Sequence, residues 1–236
     1  MTSAAQDAAS WLANPRATRE TLEAFGLATK HRLGQNFLVE DNIIRKIIRL
    51  AELTSDDVVL EVGPGLGTLT VAMLDYVRAV CSIEADRELE GVLATTCKEP
   101  HQDSFVLCMG DALKATPQLV GDAYASLGVF ADTQGKEASG TLIGPNKFVS
   151  NLPYQVAATL ILLFFQEFTT LEQAVVMVQA EVADRIAAKP GTKAYGAYTA
   201  KLALYAQVSG RFEVAPGNFM PPPRVNSAVV RLERAP

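Results

Sequence analysis

Cysteine, histidine and an excess of basic charge are all scarce in this 236-residue sequence, and so is any long unbroken hydrophobic run. The three cysteines, Cys81, Cys97 and Cys108, are an odd number without C-x-x-C spacing, and only His31 and His101 could join them as ligands. That argues against a zinc site and against a disulfide-stapled mini-fold. With 21 Lys and Arg against 26 Asp and Glu, the formal net charge is −5 and the pI about 5.2. A protein that coats nucleic acid by charge alone is excluded, while a local basic face is not. The mean hydropathy of +0.14 is high. Even so, every apolar stretch meets a charge or a polar pair before it reaches the roughly 20 residues of a membrane span. Met1 to Leu12 lacks the basic opening and the apolar block of a secretory signal. The expectation is a cytoplasmic monomer that uses no metal and no membrane.

What is present is an ordinary globular composition, 49% hydrophobic and 20% charged, long enough for one large domain or a domain with a small appendage. Residues 1–30 hold scattered helical signals, such as Thr18 to Phe25, and are expected to be a helical lead-in to a domain spanning 31–236. Between Asp41 and Leu53, Ile43, Ile44, Ile47, Ile48 and Leu50 fall near helical spacing, with Arg45, Lys46 and Arg49 on the other face. That basic face is either a solvated flank or a surface for phosphate. Strands and helices then alternate. Val58 to Val62, Ala79 to Ile83, Phe105 to Met109, Phe148 and Val149, and Ala174 to Val178 read as strands; Leu69 to Val77 and Val156 to Phe168 read as helices. Such alternation predicts an α/β fold with a mostly parallel sheet covered on both faces. Gly121 to Pro145 has little core periodicity and reads as a variable loop or partly disordered insertion. A helix is expected after Pro190 through Ala206, then an antiparallel pair, Arg211 to Val214 with Ser227 to Leu232.

In an open α/β sheet, ligands sit beyond the carboxyl ends of the strands. Four such places carry chemistry here. The first is Glu61-Val62-Gly63-Pro64-Gly65-Leu66-Gly67, where Gly63 and Gly65 let a ligand approach the backbone. A dinucleotide fingerprint would be G-x-G-x-x-G, but here the third glycine falls one residue early, which lowers the odds of NAD or FAD. The second is Glu84, about 20 residues on, where an acid can accept hydrogen bonds from ribose hydroxyls or simply cap the surface. The third is Asp111, in Gly110-Asp111-Ala112, either a turn residue or an acceptor for an adenine amino group. Together these describe a site for an adenosine with a non-phosphate tail.

The fourth place is Asn151-Leu152-Pro153-Tyr154. An exocyclic amino group on a base is a poor nucleophile, because its lone pair is delocalised into the ring. The Asn151 side-chain carbonyl and the Leu152 backbone carbonyl could accept both of its N–H bonds and favour a pyramidal nitrogen. Tyr154 could stack on the base, on a shelf stiffened by Pro153. Downstream, Asn218 to Val225 sets Phe219 in a proline-rich loop, where it is expected either to flank the base slot or to be core.

At this point the chain resembles the small-subunit rRNA dimethyladenosine transferase family (KsgA type), S-adenosylmethionine enzymes that dimethylate N6 of two adjacent adenosines. The resemblance runs from about Asn14 to Leu232. It rests on six ordered motifs: Leu33 to Leu38, Glu61 to Gly67, Gly110 to Ala112, Asn151 to Tyr154, Lys189 to Gly196, and Phe219 to Val225. It implies a Rossmann-like methyltransferase fold. It further implies that Asn36, Leu38, Gly63, Glu84, Asp111 and Asn151 contact the cofactor or its pocket, and that Asn151 and Tyr154 face the target adenine. The implied partner is small-subunit rRNA or the immature small ribosomal subunit. The Lys189 to Gly196 loop sets this family apart from its macrolide-resistance relatives, which methylate large-subunit rRNA. Candidates for the rRNA backbone are Lys30, Arg32, Arg45, Lys46, Arg49, Lys189 and Lys193. Two departures stand out. Family members continue into a small helical C-terminal domain, whereas this sequence ends at Pro236, and the Gly121 to Pro145 segment is longer. The rival functions are a large-subunit rRNA adenine methyltransferase, a DNA adenine methyltransferase and a non-catalytic ribosome-assembly factor on the same fold.

Overall fold

Helix and strand alternate as the apolar pattern requires, in a computed structural model that describes residues 9–27, 35–130 and 142–236. Helix α1, Pro15–Ala24, starts at Asn14, whose side chain accepts from the Ala17 amide, with Pro15 in the first helical position. A two-residue strand, β1 (Phe37–Leu38), precedes α2 (Asp41–Ala51), whose Ile43, Ile44, Ile47, Ile48 and Ala51 form one buried stripe. Then come β2 (Val58–Val62), α3 (Thr68–Leu74) and β3 (Ala79–Glu84). Residues 87–98 form one helical segment around α4 (Glu90–Leu93), opening in a 3-10 turn and closing in a π-helical turn. Strand β4 (Phe105–Met109), α5 (Pro117–Ser126), β5 (Lys147–Asn151), α6 (Ala157–Glu167) and β6 (Gln173–Gln179) follow. The chain ends through α7 (Ala180–Ile186), α8 (Ala197–Leu202), β7 (Ala206–Val214), β8 (Phe219–Met220) and β9 (Ser227–Arg234).

Seven strands form one sheet in the order β4-β3-β2-β5-β6-β9-β7. The first five are parallel, β9 runs antiparallel to β6, and β7 antiparallel to β9. This is the predicted mostly parallel sheet with an antiparallel addition near the C-terminus. Alternate strand residues enter two apolar layers. Val58, Leu60, Ala174 and Val176 pack with α5 and α6 on one face, while Val59, Val175 and Met177 pack with α2 and α3 on the other. Each fully buried Val, Leu, Ile or Phe contributes about 1.5–3 kcal/mol, so both layers are needed to hold the sheet.

Three expectations change. The insertion expected at Gly121 to Pro145 starts inside α5: Thr116 caps that helix, and Val120, Gly121, Ala123 and Tyr124 are buried. Its stripe of small residues carries little hydropathy contrast, which hides the helix from a periodicity search. Phe130 pairs with Leu142, and the middle of the segment, 131–141, lies outside the described residues. The helix expected through Ala206 is only Ala197–Leu202, because β7 begins at Ala206 and outlasts its local propensity by pairing along β9. Helix α7 and the 87–98 segment, too short or irregular for periodicity, were not anticipated.

The amino ends of the parallel strands are closed by partly buried cations. Lys147 Nζ donates to the Ala51 and Glu52 carbonyls at 2.7 and 2.8 Å, at the end of α2, and pairs with Asp57 at 3.1 Å. Arg234 donates to the Phe165, Phe168 and Leu171 carbonyls at the end of α6. The opposite end of the sheet stays open.

Candidate active site

The chain steps from β2 outward through β3 and β4 on one side, then crosses to β5 and β6 on the other, so the strand order reverses between β2 and β5. A crevice opens at the carboxyl ends of strands at such a reversal. Here β2 and β5 pair only through Val59 with Lys147 and Leu60 with Phe148. Beyond that the Ser150 hydroxyl spans the gap, donating to the Val62 carbonyl at 2.6 Å. A cavity of about 310 Å³ lies beyond this point, lined by the Gly63 to Gly65 turn, Glu84, Asp111 and Asn151 to Tyr154. Four strand ends far apart in sequence thus meet in one pocket of ligand size.

The glycine turn has no room for side chains. Gly63, Gly65 and Gly67 have φ of 66°, 62° and 90°. A Cβ at Gly63 would come within 3.2 Å of Pro153, one at Gly65 within 3.2 Å of the Phe37 ring, and one at Gly67 would overlap Cys97 Sγ. The π-helical turn that carries Cys97 also sends Thr96 Oγ1 to the Leu66 carbonyl at 3.0 Å. Under the turn, Glu61 is 1% exposed and accepts from Thr70 and Ser82 hydroxyls at 2.7 and 2.6 Å. Burial pushes its carboxyl up to about 7, against the pull of those two hydroxyls. Glu61 stood in the glycine motif, but nothing in sequence marked it as a buried titrating group of the cavity wall.

Glu84 stands at the end of β3, as expected. One carboxylate oxygen accepts from the Asp86 amide at 2.8 Å and the other from the Gly65 amide at 3.4 Å. It therefore ties the glycine turn to the next corner, and burial raises its pKa. Gln35 Nε2 donates to Asp86 Oδ2 at 2.8 Å, which brings Asn36, Phe37 and Leu38 onto the cavity wall. Asp111 is exposed and caps its own turn, Oδ1 accepting from the Leu113 amide at 3.0 Å. The turn reading of Asp111 is met, and the cap uses only one of its two carboxylate oxygens.

The shelf faces these carboxylates. The Leu152 amide donates to the Met177 carbonyl at 3.1 Å, which holds the backbone at the end of β6. No side-chain hydrogen bond among the described residues uses the Asn151 amide. Tyr154 lines the cavity, and its hydroxyl lies 2.7 Å from Ser227 Oγ. Of the two places expected for Phe219, the structure gives the core and not the slot wall. The residue is 3% exposed, pairs with Leu38 in the β1–β8 ladder and packs in the apolar layer, because the short strand turns its ring inward.

The basic candidates divide. Lys30 and Arg32 lie outside the described residues. Helix α2 runs away from the cavity, since its last carbonyls are held by Lys147 at the amino ends of the strands. Arg45 pairs with Asp41 at 2.7 Å and Lys46 lies 5.8 Å from the Phe212 ring centre, which leaves Arg49 exposed in the last turn. Lys189 and Lys193 are exposed on the turn between α7 and α8. Tyr198, just beyond it, donates to the Ala158 carbonyl in the first turn of α6, so that turn lies on the shelf side. Among the described residues no three His, Cys, Asp or Glu cluster to hold a metal, and no helix is long and apolar enough to cross a membrane.

The family described as Ribosomal RNA adenine dimethylase matches residues 26–236. The chain belongs to this family. Among its relatives, Ribosomal RNA small subunit methyltransferase A of Natranaerobius thermophilus is 42% identical over 94% of this chain and 72% of its own length. The protein of that name from Kineococcus radiotolerans is 37% identical over 98% of this chain and 70% of its own. Two solved structures are similar. A dimethyladenosine transferase from Plasmodium falciparum has a TM-score of 0.67 at 28% identity, covering 84% of this chain and 63% of that one. The 23S rRNA methyltransferase ErmE has a TM-score of 0.65 at 27% identity, covering 85% of this chain and 70% of its own. The fold is therefore that of a dimethylase-family methyltransferase.

Proposed function

We propose that this chain is an S-adenosylmethionine-dependent rRNA adenine N6-dimethyltransferase, acting on two adjacent adenosines in the 3′-terminal hairpin loop of small-subunit rRNA during ribosome assembly. The observation that carries it is the opening of the Asn151 to Tyr154 shelf into the same cavity as Glu84 and the glycine turn. The residues present fit the cofactor: a side-chain-free cradle at Gly63 and Gly65, a buried carboxylate at Glu84 for ribose hydroxyls, and Asp111 for an adenine amino group. When bound, S-adenosylmethionine supplies an electrophilic methyl on a sulfonium.

The chain's own work is orientation. Stacked bases cannot reach the shelf, so the target adenosine is splayed out of its loop. Asn151 Oδ1 and the Leu152 carbonyl accept the two N6–H bonds and turn the lone pair toward the methyl. Tyr154 offers its ring. Burial raises its phenol above the usual range, and the Ser227 contact engages the hydroxyl, so it serves as a stacking surface and not as a base. Asn36 and Leu38 close the cofactor side. For Phe219 to flank the base, its ring would have to leave the β1–β8 layer.

In this reading 31–236 is the catalytic domain and α1 belongs to the lead-in. The protein works as a cytoplasmic monomer on small-subunit rRNA, with Lys189 and Lys193 its best-placed backbone contacts. The test is transfer of labelled methyl to immature small subunits lacking the modification, with mapping of the product. Asn151→Ala should lose at least a hundredfold in turnover while keeping its melting temperature. Near-normal turnover by that variant would overturn the assignment, and product mapped to large-subunit rRNA would move the substrate.

A further inference from the structure

One part-buried hydrogen bond reaches the shelf from a residue that does not line the cavity. Ser227 opens β9, is fully buried, and its hydroxyl lies 2.7 Å from the Tyr154 hydroxyl across 73 positions of sequence. Its backbone is set on both sides, opposite Gln179 at the end of β6 and opposite Val214 at the end of β7. A tyrosine ring has two side-chain torsions. Its hydroxyl lies on the axis of the second, so a far end held to a strand flanked on both sides in the sheet fixes the first, the direction in which the ring projects. The anchor also lies at the end of the proline-rich stretch Pro221 to Pro223. That stretch starts at β8, which pairs with the cavity-lining Phe37–Leu38 strand.

We propose that Ser227 is a positioning residue for methyl transfer: its hydroxyl, fixed by the β6–β9–β7 ladder, holds the Tyr154 ring in the place where the splayed adenine stacks beside Asn151. This rests on the reading of Tyr154 as the stacking surface. The ring itself is not in question in the test, since Tyr154→Phe keeps it and removes only the hydroxyl.

The experiment measures kcat and KM for immature small subunits with the wild-type chain, Ser227→Ala, Tyr154→Phe and the double variant, together with melting temperature and S-adenosylmethionine affinity. Each single variant should lower kcat about twofold to tenfold, the size of one neutral hydrogen bond. The double should be no slower than the slower single, and cofactor affinity should stay within twofold, because the hydroxyls act as one unit. Wild-type turnover in both singles, or losses that multiply in the double, would overturn the proposal. A merely structural serine would give the second of these. If Ser227→Ala fails to fold, Tyr154→Phe removes the same bond from the other side and decides alone. A wild-type chain that transfers nothing to small subunits would overturn the substrate reading and this role with it. That failure shows in the control and not in the variants.

Discussion

Glu61→Gln should change the pH dependence of stability, and its size can be worked from the burial of one carboxyl group. Glu61 is 1% exposed beneath the glycine turn, with hydroxyl donors from Thr70 and Ser82 on the same oxygen. Burial raises its pKa from 4.5 to about 7; the two hydroxyls work against this and nearby Glu84 adds to it. The folded state therefore binds this proton more tightly than the unfolded chain does. Its stabilising contribution is fully present below pH 4.5 and is lost as pH rises through about 7. At about 1.4 kcal/mol per pH unit the whole loss is about 3 kcal/mol, of which about 2–3 kcal/mol falls between pH 5 and 8.5. Glutamine keeps an acceptor for the hydroxyls and cannot titrate. Urea unfolding of both proteins at half-unit steps across that range should show the variant gaining about 2–3 kcal/mol on the wild type toward high pH. Glu84, also raised by burial, is present in both and largely cancels in the difference. A difference that stays flat with pH would refute the buried, titrating Glu61.

The other expectations concern the cradle, the closed end of the sheet and the RNA surface. Gly65→Ala places a Cβ 3.2 Å from the Phe37 ring at a φ of 62°; the backbone alone costs about 1–2 kcal/mol. Calorimetry should find S-adenosylmethionine binding about tenfold weaker in a folded protein. Lys147→Met leaves Asp57 buried without its cation and two helix-end carbonyls without a donor, and should cost about 3 kcal/mol in a denaturant titration. Replacing Lys189 and Lys193 with serine should lower the slope of log affinity against log salt for small-subunit rRNA by about 1.5. Arg49→Ser, at the far end of α2, should leave that slope unchanged, and equal effects from the two would disprove the division of the basic face.

Much of the fold and of the cofactor side was legible from local signals. The β-branched runs at β2, β3 and β6 mark strands buried on both faces, because a strand covered by helices on each side has no polar alternation to show. Gly63 and Gly65 announce a turn that only a residue without Cβ can make, and Glu84 and Asp111 announce themselves by following a strand. The stripe of α2 was readable for the same reason, since helical spacing records which face is buried. Phe219 was not, because an aromatic beside prolines reads alike whether its ring lines a slot or packs in the β1–β8 layer.

Sequence alone therefore determined the alternation of elements, the glycine turn and the identity of the strand-end acids, all properties of residues within a turn or two of one another. Tertiary structure decided what depends on strand order. It set the reversal between β2 and β5 that opens the crevice, and the reach of Ser150 to Val62 across 88 positions. It also set the direction of α2 away from the cavity, and the bond from Ser227 to Tyr154. Periodicity records whether a side chain is buried; which distant hydroxyl or carboxylate it meets is a matter of how the sheet is threaded.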